Sequence, residues 1–185
     1  MIDVSQTRGN PKPWVNPKIL RMTNQTVTTV DINLQPGHAI RRLHQIAVGI
    51  FHQETQNLDV TPVQYAILQM VYNQPGTDQR TLARNIALDT STTAGAVDRL
   101  ETRGLLARNA APGDRRVRLL TLTPEGEQLL ADTIPRMARA QELILAPLSQ
   151  AQRSDFMQLL SLLVTENNAL SRAPSDISTK FANAG

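Results

Sequence analysis

The dipeptide Thr61-Pro62 recurs as Thr123-Pro124, and both read as helix starts. Threonine can cap the free N–H groups of a first turn. Proline at the first helical position gives up only an N–H that has no helical partner. Between these two starts the chain is punctuated at Asn73-Gln74-Pro75-Gly76, Ala87-Leu88-Asp89, Arg103-Gly104 and Pro112-Gly113-Asp114. No long helix fits between such stops, so this stretch must fold as a series of short elements. Tyr65, Leu68 and Tyr72 predict a helix over 61–73, and Leu82, Ala83 and Ile86 a shorter one over 78–86. Ala94, Val97 and Leu100 predict a third over 90–102, closed by a left-handed Gly104. Residues 105–110 and 116–122 read as two strands, with Pro112-Gly113 suited to the middle of a type II turn.

Longer helices flank this series. Ile40, Leu43, Ala47, Ile50 and Phe51 recur at spacings of three and four and predict a helix over 37–57. Leu129, Leu130, Ile134, Met137, Leu143 and Ile144 predict another over 124–146, with Pro135 expected to kink it. Ser149 and Gln152 match a capping box opening a last helix that runs to about residue 170. Residues 1–34, broken by Pro11, Pro13 and Pro17, and residues 173–185 read as flexible tails. Residues 1–34 hold no apolar run of the kind an export signal uses, so none is expected there. Apolar runs fall short of the roughly 18–20 residues of a membrane span, and no membrane partner is expected.

Helix, turn, helix and a two-stranded hairpin describe a winged helix-turn-helix over 61–123. The fold class is thus mainly α with a small β-hairpin wing, plus a helical dimerisation region over 35–60 and 124–172. With Ala94, Val97 and Leu100 turned inward, Thr90, Ser91, Thr92, Gly95 and Arg99 face outward, and Thr93 is counted with them. Small hydroxyls and a glycine let a helix lie close to base edges, and Arg99 can read guanine or hold a phosphate. At the hairpin tip Arg115 and Arg116 can enter a narrow minor groove, with Asp114 orienting Arg116. The net charge of +3 is too small to argue for DNA by itself. Its distribution is sharper: residues 77–123 hold eight arginines against five acids, and the whole surplus falls within 104–123. A solvated basic surface is the plainer account of that pattern, but the hairpin after a glycine-bearing recognition-type helix favours the DNA contact.

These residues also resemble a family. Leu58-Asp59-Val60-Thr61-Pro62-Val63-Gln64 is similar to the "LTxxQ" helix of the MarR (multiple antibiotic resistance regulator) family. The run from Asp89 to Glu101 with Arg103-Gly104-Leu105-Leu106 resembles its recognition helix and exit. Gly113-Asp114-Arg115-Arg116, Thr123-Pro124 and Gly126 resemble its wing and return helix. The likeness spans roughly residues 35–170. It implies a homodimeric repressor on a double-stranded DNA operator, with intertwined terminal helices. Burial of the apolar stripes on the first and last two helices points to the same two-fold dimer, a single intramolecular helical core being the alternative.

Ile40-Arg41-Arg42-Leu43-His44-Gln45 resembles members that respond to aromatic carboxylic acids. Arg41 can take a carboxylate bidentately, His44 can bond a carboxylate or ring hydroxyl, and Tyr65 and Tyr72 can line an aromatic slot. Plainer roles suit them too: His44 as an interface histidine, the tyrosines as core. The chain has no cysteine, so the family's peroxide-sensing branch is excluded and a non-covalent effector is expected. His38, His44 and His52 do not match one metal cluster, so neither metal nor cofactor is expected. No acid–base or nucleophile constellation suggests an enzyme. The competing class is a winged-helix protein-interaction module, which an acidic residue such as Asp98 on the recognition face would favour.

Overall fold

A computed structural model describes residues 31–111 and 113–175. The chain divides into two compact units, Met1–Gln45 and Ile46–Gly185. In the first, Asp31 caps a 3-10 turn (Ile32–Leu34) by accepting the Asn33 N–H at 2.9 Å. The end of the expected N-terminal tail is therefore a capped turn, and residues 1–30 lie outside the described residues. Helix α1 (Pro36–Glu54) begins in this unit, with Ile40 and Leu43 left exposed on it, and its residues from Ile46 on belong to the second.

The second unit is built on the helix starts. Helix α2 (Pro62–Asn73) opens with a reciprocal box: Thr61 Oγ1 accepts the Gln64 N–H at 3.2 Å, and Gln64 Oε1 accepts the Thr61 N–H at 3.0 Å. A two-residue strand β1 (Thr77–Asp78) leads into α3 (Gln79–Asn85) and α4 (Thr90–Thr102). Strands β2 (Leu106–Ala111) and β3 (Asp114–Leu122) form the wing, and Gly113 between them has φ +87°, as the Pro-Gly turn requires. Helix α5 (Pro124–Leu145) and helix α6 (Gln150–Glu166), opened by the Ser149–Gln152 box, complete the unit. Helix α5 carries Pro135 in its interior without ending there.

The expected hairpin is in fact a three-stranded antiparallel sheet of order β1-β3-β2, with Thr77 opposite Leu120 and Asp78 opposite Leu119. Two residues cannot show an alternating pattern, so β1 has no sequence signature. Asp78 also caps α3, accepting the N–H groups of Arg80 and Thr81 at 2.9 and 3.0 Å.

Ile67, Leu68 and Val71 of α2 pack with Leu82 of α3, Ala96, Val97 and Leu100 of α4, Leu106 and Leu120 of the sheet, and Leu130 of α5. All are almost fully buried. Burying a side chain of this size contributes about 1.5–3 kcal/mol, so this core fixes α4 against the sheet. At the other end, Leu159, Leu162, Leu163 and Val164 of α6 are exposed. Asn168, past α6, exchanges hydrogen bonds with the Ser175 backbone at 2.9 Å in both directions. Order thus reaches into the expected C-terminal tail, whose residues 176–185 lie outside the described residues.

Candidate nucleic-acid interface

Helix α4 is fixed at both ends. At its start Asp89 accepts the Thr92 N–H at 2.8 Å, with the Ser91 and Thr92 hydroxyls donating to its two oxygens at 2.7 Å each. At its end Gly104 takes φ +71°. The Leu105 N–H then reaches the Leu100 carbonyl at 2.9 Å, and the Gly104 N–H that of Glu101 at 2.8 Å. This left-handed cap needs a residue without a Cβ penalty.

The inward face of α4 is Thr93, Ala96, Val97 and Leu100; Ala94 is only half-buried. The expectation that Thr93 faces DNA is corrected by its complete burial. Its hydroxyl donates to the Asp89 carbonyl at 2.9 Å, which satisfies a polar group that would otherwise demand solvent. Thr90, Ser91, Thr92 and Arg99 are exposed, and Gly95 is half-buried among them. A Cβ built on Gly95 meets only Arg99 Nη1, at 3.5 Å, so the Arg99 guanidinium lies over the glycine. Ser91 and Thr92 each commit their one hydroxyl proton to Asp89, so they offer lone pairs outward. Such lone pairs accept from the amino groups of adenine or cytosine.

Hydrogen bonds from the Thr92 hydroxyl, the Thr92 N–H and the Ser91 hydroxyl hold the Asp89 carboxyl well below the usual carboxylate range. Asp78 is lowered too, chiefly by the Thr81 hydroxyl at 2.7 Å and then by the Thr81 N–H. A lowered folded pKa stabilises the fold above the unfolded carboxylate value of about 4 and loses that contribution as pH falls further. The melting temperature is therefore expected to drop below about pH 4. Asp89→Asn together with Asp78→Asn should flatten that drop, and an unchanged acid limb would refute the assignment.

On the wing the backbone places residues 115 and 116 at the start of β3, beside the Gly113 turn. The side chains of Asp114, Arg115 and Arg116 lie outside the described residues, as does the expected Asp114–Arg116 contact. Arg118 is exposed farther along the strand. Sequence reasoning passed over Arg108. From β2 it donates to Asp98 at 2.5 Å, to the Glu101 carboxylate, and to Gln79 Oε1 at 3.3 Å. Partial burial opposes the Arg108 charge, but the Asp98 hydrogen bond and the Glu101 and Asp98 charges outweigh it, raising its pKa. At the foot of α4, Arg103 donates to the Asp59 carbonyl at 2.6 Å and lies 3.5 Å from its carboxylate.

The expected effector residues fall in different units. In the first, Arg41 and His44 are exposed on α1. Arg41 donates to Gln45 Oε1 at 2.8 Å and lies 3.4 Å from His38 Nδ1, so its neighbours are one turn to either side. In the second, Tyr65 is half-buried, its hydroxyl donates to Gln69 Oε1 at 3.4 Å, and desolvation raises its pKa. Tyr72 is exposed. Among the described residues no group of three or more His, Cys, Asp or Glu is placed to hold a metal, and no helix is long and apolar enough to cross a membrane.

The model of the MarR family matches residues 60–117. Over 143 residues the chain is 31% identical to the HTH-type transcriptional repressor NicR of Pseudomonas putida, across 77% of this chain and 90% of that protein. Among solved structures, the PcaV transcriptional regulator of Streptomyces coelicolor, in complex with its natural ligand, is 36% identical with a TM-score of 0.70. The match spans 75% of this chain and 97% of that one. BpsR of Bordetella bronchiseptica, whose DNA binding is regulated by 6-hydroxynicotinic acid, is 31% identical with a TM-score of 0.65, across 69% and 96%.

Proposed function

This chain belongs to the MarR family of transcriptional regulators, and from that premise we propose that it represses an operon for aromatic-compound breakdown. A small aromatic carboxylic acid releases it from a pseudo-palindromic operator. The observation that carries the DNA reading is the two-sidedness of α4: one face is sealed in the core, and the other leaves Thr90, Ser91, Thr92 and Arg99 exposed, with Gly95 half-buried beneath Arg99. Two copies related by a two-fold axis set two such helices about one DNA turn apart, in successive major grooves. The apolar side chains exposed on α1 and α6 support that homodimer. An interaction module that never touches DNA is not favoured, because the relatives are transcriptional regulators.

Arg115 and Arg116 enter the flanking minor grooves in this reading. The test is fluorescence anisotropy on random-sequence duplexes and on duplexes the protein enriches from a random pool. Arg116→Ala is expected to weaken binding to all sequences and to lower the salt slope by about one. Unchanged affinity with unchanged salt dependence would sink the wing assignment.

The effector reading rests on Arg41 and His44, and on the acid that regulates BpsR. Arg41 takes the carboxylate in a forked pair, and His44 bonds the same acid. By linkage, effector and DNA weaken each other's binding by one common factor. A thermal-shift screen of small aromatic acids, starting with 6-hydroxynicotinic acid, identifies the ligand. Arg41→Ala is expected to raise the acid concentration needed for operator release about tenfold or more while leaving DNA affinity intact. Release at the wild-type concentration would remove Arg41 from the site.

A further inference from the structure

By its own charge the recognition helix is a poor match to DNA. From residue 89 to residue 103 the chain sets Arg99 and Arg103 against Asp89, Asp98 and Glu101, one more acid than base. The Asp98 and Glu101 side chains are 63% and 39% exposed, three residues apart on α4. Left bare, both carboxylates would repel a phosphate backbone. Arg108 reaches both from the neighbouring strand, and through Gln79 it also touches the start of α3. Its side chain is only 20% exposed, and its two terminal nitrogens are already engaged within the fold. That leaves it badly placed to serve as a phosphate contact.

We propose that Arg108 is a positioning residue for DNA recognition. It cancels the Asp98 and Glu101 charges on α4, so the helix meets DNA without bare carboxylates on its surface. The proposal rests on the DNA-binding reading above. It also explains how a helix bearing Asp98 on its surface can serve in a DNA reader.

The test compares Arg108→Ala, the triple variant that adds Asp98→Asn and Glu101→Gln, and the double variant Asp98→Asn/Glu101→Gln with Arg108 intact. Each is titrated by anisotropy against a random-sequence duplex and an enriched duplex, with melting temperature and salt slope measured alongside. Arg108→Ala is expected to weaken both duplexes about tenfold or more. The triple variant should return to within about threefold of wild type, since the exposed charges are gone. The double variant should bind no worse than wild type, which keeps the test open even if Arg108→Ala fails to fold.

A triple variant that stays weak, with a salt slope lower by about one, makes Arg108 a phosphate contact and overturns the proposal. Affinity lost only in step with melting temperature, and not rescued, makes it purely structural and overturns it too. A wild-type protein that binds no duplex at all sinks the DNA reading itself. Wild-type binding with an unrescued triple variant sinks only the role given to Arg108.

Discussion

Replacing Gly126 by alanine is expected to cost about 3 kcal/mol or more of stability, at the upper end of what overpacking does. A Cβ at this position falls 1.9 Å from the Leu105 carbonyl oxygen and 2.9 Å from its carbon. Both are backbone atoms and cannot swing aside as a side-chain tip can. The same stretch of chain closes α4, where the Leu105 N–H bonds the Leu100 carbonyl. It also receives α5, where the Gly126 N–H bonds Thr123 Oγ1 at 3.1 Å. Relief of the clash must therefore disturb the end of α4 or the cap of α5. Urea or thermal unfolding measures the loss, and DNA binding should fall with it. A Gly126→Ala protein with wild-type stability would show that α5 does not approach Leu105 this closely.

Gly95→Ala is expected to act in opposite directions on stability and on function. Gly95 sits mid-helix in α4, where glycine costs about 0.5–1 kcal/mol relative to alanine. A Cβ there meets only Arg99 Nη1, at an ordinary contact distance of 3.5 Å. The fold thus gives no reason for the glycine, and alanine should raise the melting temperature. In the DNA-binding reading the added methyl stands where the helix surface meets base edges and where Arg99 rests. Lifting the helix weakens more than one base contact, each worth about 1–3 kcal/mol, so operator affinity should fall about a hundredfold. A variant that is both more stable and an equal binder would show that Gly95 lies away from the groove.

Much of this was legible in the sequence because the signals are local. Thr61-Pro62, Thr123-Pro124 and Ser149 are caps that each helix makes within its own first turn. Gly104 marks the end of α4 through its own φ. What escaped depends on partners distant in the chain. Strand β1 exists only because β3 lies beside it. Thr93 looks like a surface hydroxyl until the rest of the fold covers it, and only then does the 93, 96, 97, 100 stripe become the inward face. Arg108 reads as one more basic wing residue, since nothing local announces that it reaches back to α4. Arg41 was legible as a charge on a helix face, but which neighbours it engages was settled by side-chain reach.

The root of the wing carries a consequence for how such chains diverge. The Thr123 N–H bonds the Leu105 carbonyl at 3.3 Å, and its hydroxyl donates to the Gly104 carbonyl at 2.6 Å while accepting from Gly126. One residue thus staples the two ends of the excursion that holds both wing strands. The hairpin tip lies farther out than both this staple and the Arg108 bonds to α4. Doubling the length of a flexible tip costs only about 0.6 kcal/mol in closure entropy. In the DNA-binding reading proposed above, tips of different length and charge could therefore be exchanged on this stem as cassettes, changing the flanking contacts without rebuilding α4.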